Sequence, residues 1–183
     1  MFEWLFKWFY KFRGWTVGDN LSPEIKKCIL VVAPHTSGWD LIYGAGAKLW
    51  LSLPAKFLMK KEVFKWPLKK LFVRLGGIPV DRSKNLGLTG AITEYIQTHE
   101  SAVIAYTPEG TRRRVTRWRK GFYYAAMGAR VPIVLSYIDY REKKAGVGPS
   151  FMPSGDIEKD FEIIRDFYRN VTGCRPENFA LPE

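Results

Sequence analysis

The chain has 183 residues, 46% of them hydrophobic, which is enough for one good-sized core and too short for two independent domains. Lys and Arg number 29 against 18 for Asp and Glu, and the formal net charge of +11 favours a polyanionic partner, either phosphate head groups or nucleic acid. The two cysteines, Cys28 and Cys174, have no short metal-type spacing, which argues against a zinc site and a disulfide framework.

The N-terminal segment, residues 1–15, is predicted to form an amphipathic helix. Glu3, Lys7 and Lys11 recur every four residues and form a narrow polar stripe on a helix otherwise covered by Phe, Trp and Leu. The chain also has seven Trp, nine Tyr and twelve Phe, and amphipathic aromatic side chains favour a membrane interface. We therefore expect the helix to lie in the surface of an anionic membrane, although packing on the domain would give the same pattern.

Two further features bear on location. No stretch approaches the roughly 20 apolar residues that span a bilayer, and the charged N-terminus does not fit an export signal. We expect a peripheral or monotopic protein on the cytoplasmic face of the membrane, with no transmembrane span.

The remaining sequence, residues 20–183, alternates predicted strands and helices. In chain order we predict a strand at 28–34, a helix at 39–52, a strand at 56–59, a helix at 67–76, a strand at 77–80, a helix at 86–100, a strand at 102–107, a helix at 121–129, a strand at 131–140 and a closing helix at about 156–171. This alternation predicts a single α/β domain with a mainly parallel central sheet flanked by helices.

His35 is the first candidate for catalysis. It follows the predicted strand 28–34, at the edge where open parallel sheets place ligands, and Asp40 comes five residues later. If Ser37 caps the next helix, Asp40 falls in its first turn, where a carboxylate can turn back to orient an imidazole in the preceding loop. A capping box formed by Ser37 and Asp40 alone, with His35 as a turn residue, fits the same spacing.

Two more predicted loops reach the same edge of the sheet. Asp81 and Arg82 follow the strand 77–80, and the segment PEGTR, residues 108–112, follows the strand 102–107. Arg guanidinium groups suit bidentate recognition of phosphate, and a Gly beside them lets a ligand approach the backbone closely. We therefore expect an anion site beside His35.

Four blocks in chain order, PHTSGWD, GGIPVDR, PEGTR and VPIV, resemble the motifs of the glycerolipid acyltransferase family of the lysophosphatidic acid type. The family's central motif is a His and an Asp separated by four residues, which are His35 and Asp40 here. The Pro-Glu-Gly-Thr-Arg block is complete at 108–112.

This resemblance implies a 1-acylglycerol-3-phosphate type O-acyltransferase of phospholipid biosynthesis, with His35 as general base and Asp40 holding and polarising it. It also implies a pocket for the phosphate of the acceptor, formed by Arg82, Glu109, Gly110, Thr111 and Arg112. To this pocket we add Lys120, which ends a run, residues 112–120, with six basic groups in nine positions. We expect neither a metal nor a cofactor, and the acyl donor is a thioester of coenzyme A or acyl carrier protein.

Several alternatives stay open. Departures from the family at Pro34 and Pro79 leave the acceptor open among lysophosphatidic acid, glycerol 3-phosphate, other lysophospholipids and lyso-aminolipids. A catalytically idle membrane-surface lipid-binding protein would share the same motifs. A nucleic-acid-binding module would explain the charge and the Arg and Trp residues at 112–120, but it leaves His35 and Asp40 without a role, so we expect no nucleic-acid partner.

Overall fold

The computed structural model describes residues 2–60, 69–80 and 87–183 of the chain. The strands in these residues are β1 Thr16–Val17, β2 Lys27–Ala33, β3 Ala55–Lys60, β4 Gly77–Val80, β5 Ala102–Tyr106, β6 Ile133–Asp139 and β7 Lys144–Phe151. The helices are α1 Phe2–Phe12, α2 Trp39–Trp50, α3 Lys69–Arg74, α4 Gly87–Thr98, α5 Gly121–Ala129 and α6 Ile157–Tyr168, followed by a 3-10 turn at Pro176–Asn178.

The strands form one sheet in the order β1-β7-β6-β2-β5-β3-β4. Strand β2 lies at its centre and runs parallel to both β5 and β6, and the β5–β3 and β3–β4 pairs are also parallel. Among the described strands, only β6 and β7 pair in the antiparallel sense. The predicted fold, a single α/β domain with a mainly parallel sheet flanked by helices, is confirmed.

Helices cover both faces of the sheet. Alternate residues of β2 divide between two clusters of buried side chains, because successive side chains of a strand point to opposite faces. Ile29 and Val31 pack in the larger cluster, which includes residues of α4, α5 and α6. Cys28 and Leu30 face the other side of the sheet, which α2 covers. Burial raises the pKa of the Cys28 thiol to about 12, so this cysteine is an unreactive packing residue.

Strands β1 and β7 were not predicted from the sequence. Strand β7, KAGVGPSF, has two glycines and a proline, which lower the strand propensity of a segment. Tight packing accounts for both glycines: a Cβ on Gly146 would come within 3.0 Å of the Gly18 Cα, and one on Gly148 within 2.4 Å of the Phe167 ring. The two glycines that weaken the strand signal of β7 in the sequence are therefore the residues that allow β7 to pack against Gly18 and Phe167.

Helix α1 packs along α2 and is not a free arm. Tyr10 is fully buried and its hydroxyl donates a hydrogen bond to the Tyr43 carbonyl, while a Cβ added to Gly46 would come within 2.4 Å of the Tyr10 ring. Trp4 and Phe12, on the other side of α1, are 70% and 74% exposed. None of the helices in the described ranges is both long enough and apolar enough to serve as a transmembrane span.

Candidate active site

His35 lies in the short loop between β2 and α2, at the carboxyl edge of the sheet. Asp40 occupies the first turn of α2 and its carboxylate turns back toward this loop, so that His35 Nδ1 lies 3.3 Å from Asp40 Oδ2. The Asp40 side chain is 3% exposed, whereas that of His35 is 29% exposed. The buried carboxylate thus holds one ring nitrogen of an imidazole that solvent and ligands can still reach.

The Asp40 carboxylate is surrounded by hydrogen-bond donors. Its Oδ2 accepts hydrogen bonds from the backbone N–H groups of Thr36 at 2.7 Å and Ser37 at 2.8 Å, and its Oδ1 accepts one from the Tyr140 hydroxyl at 2.8 Å. Burial by itself raises the pKa of Asp40, but the hydrogen bonds from His35, Ser37, Tyr140 and Thr36 together bring it below its ordinary value. Asp40 is therefore an anion at neutral pH.

The start of α2 differs from the capping expected at Ser37. The helix begins at Trp39 with Gly38 as its N-cap, and no side chain caps it from that position. Ser37 Oγ accepts a hydrogen bond from the Trp39 N–H at 3.2 Å, while Asp40 binds the N–H groups of the preceding loop. Asp40 therefore binds the Ser37 N–H, as the acid of a capping box does, and faces His35 at the same time.

Glu109 lies beneath the His35 loop. Both of its carboxylate oxygens accept hydrogen bonds from the His35 backbone N–H, at 3.0 and 2.9 Å, and the side chain is buried. Burial raises the pKa of Glu109 to about 7, against the lowering effect of the hydrogen bond and charge of His35, and the negative Asp40 adds to the rise. In this position Glu109 holds the loop that carries His35, and its predicted contact with substrate stays a prediction.

The rest of the PEGTR segment folds back toward the same loop. Gly110 has a φ of +65°, and a Cβ there would lie 2.6 Å from Arg119 Nε, so only glycine fits both the backbone and the arginine. The Gly110 N–H donates to the Thr107 carbonyl at 3.2 Å and is engaged in a turn. Arg112 reaches the start of α2, where its Nη1 lies 3.3 Å from the position of a Cβ on Gly38.

The other predicted site residues lie in different surroundings. Thr111 Oγ1 accepts a hydrogen bond from the Arg113 N–H at 3.3 Å within the same loop. Lys120 Nζ lies 3.7 Å from Glu158 Oε1 on α6 and 5.5 Å from the centre of the Phe161 ring, on the side of the sheet that α6 covers. Arg82 and its neighbour Asp81 lie outside the described residues, so their roles stay predictions.

A cavity of about 670 Å³ opens beside the histidine. Its lining includes His35, Asp40, Gly110 and Arg119 at one end, and its wall along α2 continues to Lys48 and Leu51. The distance along the helix axis from Asp40 to Leu51 is about 16 Å, at 1.5 Å per residue. The cavity is therefore long as well as large.

Small and apolar residues shape the cavity. Gly44, Ala45 and Ala47 line it from α2. Glycine has no side chain and alanine has only a methyl group, so these residues leave space between the helix and the sheet. The far end is formed by apolar side chains, together with Lys48, whose Nζ donates to the Leu75 carbonyl at 2.6 Å. Burial, and then the charge of Lys56, lower the pKa of Lys48.

Sequence reasoning missed Tyr140 and Arg119 as individual site residues. Tyr140 directly follows β6, the parallel neighbour of β2. Its position at the carboxyl edge of the sheet is the feature by which the sequence could have identified it as a site residue. Arg119 lies inside the basic run 112–120 and nothing in the spacing distinguishes it from its neighbours. The structure distinguishes it by its contact with Gly110 and its place in the cavity wall.

Comparison with known protein families identifies the family of this chain. The family model described as Acyltransferase matches residues 16–138, about two thirds of the chain, and includes His35, Asp40 and the PEGTR segment. No curated protein sequence matches the chain significantly.

Solved structures with a similar fold include an acyltransferase. It is the 1-acyl-sn-glycerophosphate (LPA) acyltransferase PlsC from Thermotoga maritima, with a TM-score of 0.58, 18% sequence identity, and coverage of 88% of this chain and 74% of that chain. The resemblance seen in the four sequence blocks is therefore confirmed at the level of the family and the fold. The chain belongs to the acyltransferase family.

Proposed function

We propose that this acyltransferase moves a fatty acyl chain from a thioester of coenzyme A or acyl carrier protein to a hydroxyl of a lysophospholipid-type acceptor, with 1-acylglycerol 3-phosphate as the favoured acceptor. The observation that carries the proposal is the pairing of His35 and Asp40, 3.3 Å apart, at one end of an apolar cavity of about 670 Å³. Ligand pockets in proteins have volumes of about 300–1,000 Å³.

His35 is the general base in this proposal. Its Nδ1 faces Asp40, which leaves Nε2 to take the proton of the acceptor hydroxyl. The oxygen attacks the thioester carbonyl carbon, the C–S bond breaks, and the protonated His35 returns its proton to the leaving thiolate. Because Asp40 is held as an anion, it stabilises the imidazolium formed between these two steps.

The cavity along α2 is suited to the acyl chain. Its far end is lined by apolar side chains such as Leu53, Phe57 and Leu75, and burying a methylene group contributes about 0.8 kcal/mol. An acyl chain lying against Gly44 and Ala45 would place its thioester carbonyl near His35, where the cavity meets the catalytic loop.

The acceptor phosphate requires cations near the histidine. Arg112 lies over the start of α2 and Arg119 lines the cavity beside Gly110, so two guanidinium groups are near His35. Arg82, predicted to join them, lies outside the described residues. A phosphate bound by these arginines would hold the acceptor hydroxyl at His35, and this favours a phosphorylated acceptor over a neutral one.

Association with a membrane surface completes the proposal. The exposed aromatic side chains of α1 and the exposed Trp39, Leu41 and Ile42 at the start of α2 lie on the helices next to the catalytic loop. Such side chains enter the interface of a bilayer, and each nearby Lys or Arg adds about 1 kcal/mol on an anionic surface. A lysolipid acceptor and an acyl chain would then reach the site from the membrane.

The test is a transfer assay on anionic vesicles with palmitoyl-coenzyme A or palmitoyl-acyl carrier protein as donor. The acceptors are 1-acylglycerol 3-phosphate, glycerol 3-phosphate and lysophosphatidylcholine. We expect the highest kcat/KM for 1-acylglycerol 3-phosphate, and a lower value for lysophosphatidylcholine, whose phosphate carries a choline group. Equal turnover of all three acceptors would contradict the phosphate-binding part of the proposal. Vesicle binding without turnover of any acceptor would favour the idle lipid-binding protein.

A further inference from the structure

Tyr140 contacts the catalytic pair from the opposite side to His35. Its hydroxyl donates a hydrogen bond to Asp40 Oδ1 at 2.8 Å, while Asp40 Oδ2 faces His35 and accepts from the N–H groups of Thr36 and Ser37. Each carboxylate oxygen therefore has its own donors. Tyr140 is the side-chain donor to Oδ1, and it comes from a different part of the fold.

The Tyr140 ring is fixed in place by its neighbours. It packs edge-on against Trp15, with ring centres 5.0 Å apart, and edge-on against Tyr43, with ring centres 5.4 Å apart. Its backbone N–H donates to the Thr172 carbonyl at 2.9 Å. A ring held on two sides and through its backbone has little freedom to turn its hydroxyl away from Asp40.

We propose that Tyr140 is a positioning residue for acyl transfer, which acts through Asp40 by fixing the rotation of its carboxylate so that Oδ2 stays directed at His35 Nδ1. This inference rests on the proposed role of His35 as general base. Without the Tyr140 hydroxyl, the two backbone N–H groups still hold Oδ2, but Oδ1 loses the hydrogen bond that, among the described residues, resists rotation of the carboxylate. Tyr140 touches neither substrate in this scheme.

The mechanism predicts which kinetic constant changes. Asp40 acts on His35 during proton transfer, so loss of its alignment lowers kcat and leaves the KM values for donor and acceptor nearly unchanged. Removing one hydrogen bond to a charged group corresponds to a loss of about 10–100-fold. A purely structural role for the Tyr140 hydroxyl would lower stability and leave kcat of the folded enzyme unchanged.

The chain offers a matched control. Tyr123 is also buried, and its hydroxyl also donates to a buried carboxylate, Asp160 Oδ2, at 2.8 Å, but this pair lies between α5 and α6 on the other face of the sheet. Tyr140→Phe and Tyr123→Phe thus remove the same group from the same kind of contact. Only the first contact involves the catalytic pair.

The experiment compares the wild type, Tyr140→Phe, Tyr123→Phe, Asp40→Ala and the double variant Asp40→Ala/Tyr140→Phe. Steady-state assays give kcat and KM, and single-turnover assays with enzyme in excess measure the slow variants. We expect about 10–100-fold lower kcat for Tyr140→Phe with KM changed less than about twofold. We expect unchanged kcat for Tyr123→Phe, and no further loss when Tyr140→Phe is added to Asp40→Ala, because the two residues act as one unit.

Three results would overturn the inference: a folded Tyr140→Phe enzyme with wild-type kcat, a Tyr123→Phe enzyme with an equal loss, or a full additional loss in the Asp40→Ala background. Failure of the proposed function looks different. In that case the wild type itself shows no acyl transfer to any acceptor, and the inference about Tyr140 fails with it.

Discussion

Asp40 and Glu109 are buried carboxylates next to His35, and their pKa values are shifted in opposite directions because different hydrogen-bond donors surround them. Asp40 receives hydrogen bonds from two backbone N–H groups and the Tyr140 hydroxyl, and its pKa lies below its ordinary value despite burial. Glu109 binds the backbone N–H of His35, lies close to the negative Asp40, and has its pKa raised by burial to about 7. Environments that separate the pKa values of neighbouring acids also separate their roles. Asp40 is suited to supporting an imidazolium, and Glu109 to holding a loop.

The raised pKa of Glu109 predicts how stability changes with pH. The pKa of Glu109 in the folded protein, about 7, exceeds its ordinary value of 4.5, so folding is penalised once the unfolded chain can lose this proton. The burial of Glu109 therefore carries no such penalty below about pH 4.5. As pH rises from there to about 7, the penalty grows and the free energy of unfolding falls. The total change is at most about 3 kcal/mol.

Glu109→Gln removes this titration. Urea unfolding of the wild type and of Glu109→Gln at pH 5 and pH 7.5 measures how this titration changes the free energy of unfolding. We expect the free energy of unfolding of the wild type to fall relative to that of the variant between these two pH values. A difference between the two proteins that stays the same at both pH values would contradict the raised pKa.

At the scale of elements, the contact between α1 and α2 depends on one glycine. A Cβ on Gly46 would lie 2.4 Å from Tyr10 Cε2 and 3.1 Å from Phe6 Cδ1, whereas one on Gly44, two residues earlier, would meet Ile138 Cδ1 at an ordinary 3.5 Å. Exchange of Gly for Ala in a helix interior adds about 1 kcal/mol of stability where space allows. The two glycines of α2 should therefore respond in opposite directions.

We expect Gly46→Ala to lower the free energy of unfolding by about 1–3 kcal/mol, because overpacking forces the aromatic rings of α1 away from α2. Gly44→Ala is the control and should be neutral or slightly stabilising. Urea unfolding, followed by tryptophan fluorescence, measures both. A Gly46→Ala protein as stable as the Gly44→Ala protein would show that α1 does not pack on α2 as described.

The outer side of α1 carries the predicted attachment to lipid. Trp4, Trp8 and Phe12 are exposed, as is Leu5, while Phe6 and Tyr10 lie against α2, so the three exposed aromatic side chains are free to enter a bilayer. Burying one large apolar side chain contributes about 1.5–3 kcal/mol. Replacing all three by Ser should therefore weaken binding to anionic vesicles by about 100-fold or more.

Vesicle flotation or surface plasmon resonance at fixed salt measures this binding. The control replaces Val73, a single exposed apolar residue on a different helix, α3, by Ser, and should leave binding nearly unchanged. Unchanged vesicle binding by the triple variant would contradict the predicted role of α1 as an interfacial helix.

At the scale of the whole molecule, topology assembles the site from distant segments. The carboxyl ends of β2, β5 and β6 meet at one edge because these three strands are parallel neighbours. This edge brings His35, Glu109 and Tyr140 together from positions as much as 105 residues apart in the sequence. The sequence predicted the parallel sheet and the meeting of the first two loops, since hydrophobic strands followed by polar motifs are visible in it.

What the sequence did not predict depends on contacts across the fold. Tyr140 resembles any aromatic residue after a strand, and only the partner of its hydroxyl identifies it. The salt bridge of Lys120 with Glu158 depends on α6, far along the chain, and so could not be predicted from the basic run. The carboxylate of Glu109 faces a backbone N–H, and its motif does not reveal this orientation. The contact between His35 and Asp40, five residues apart, was thus predictable from the sequence, whereas contacts between distant segments were not.

The most direct test of the proposed function compares the wild type with His35→Ala in one assay. Purified protein on anionic vesicles receives palmitoyl-coenzyme A with and without 1-acylglycerol 3-phosphate, and both thiol release and diacyl product are measured. Circular dichroism shows that the variant is folded.

We expect acceptor-dependent thiol release by the wild type with one diacyl product per thiol, and a loss of about 10²–10⁴-fold in His35→Ala, the range typical of a general base. Thiol release by a folded His35→Ala enzyme at the wild-type rate would contradict the assignment of His35 as the base.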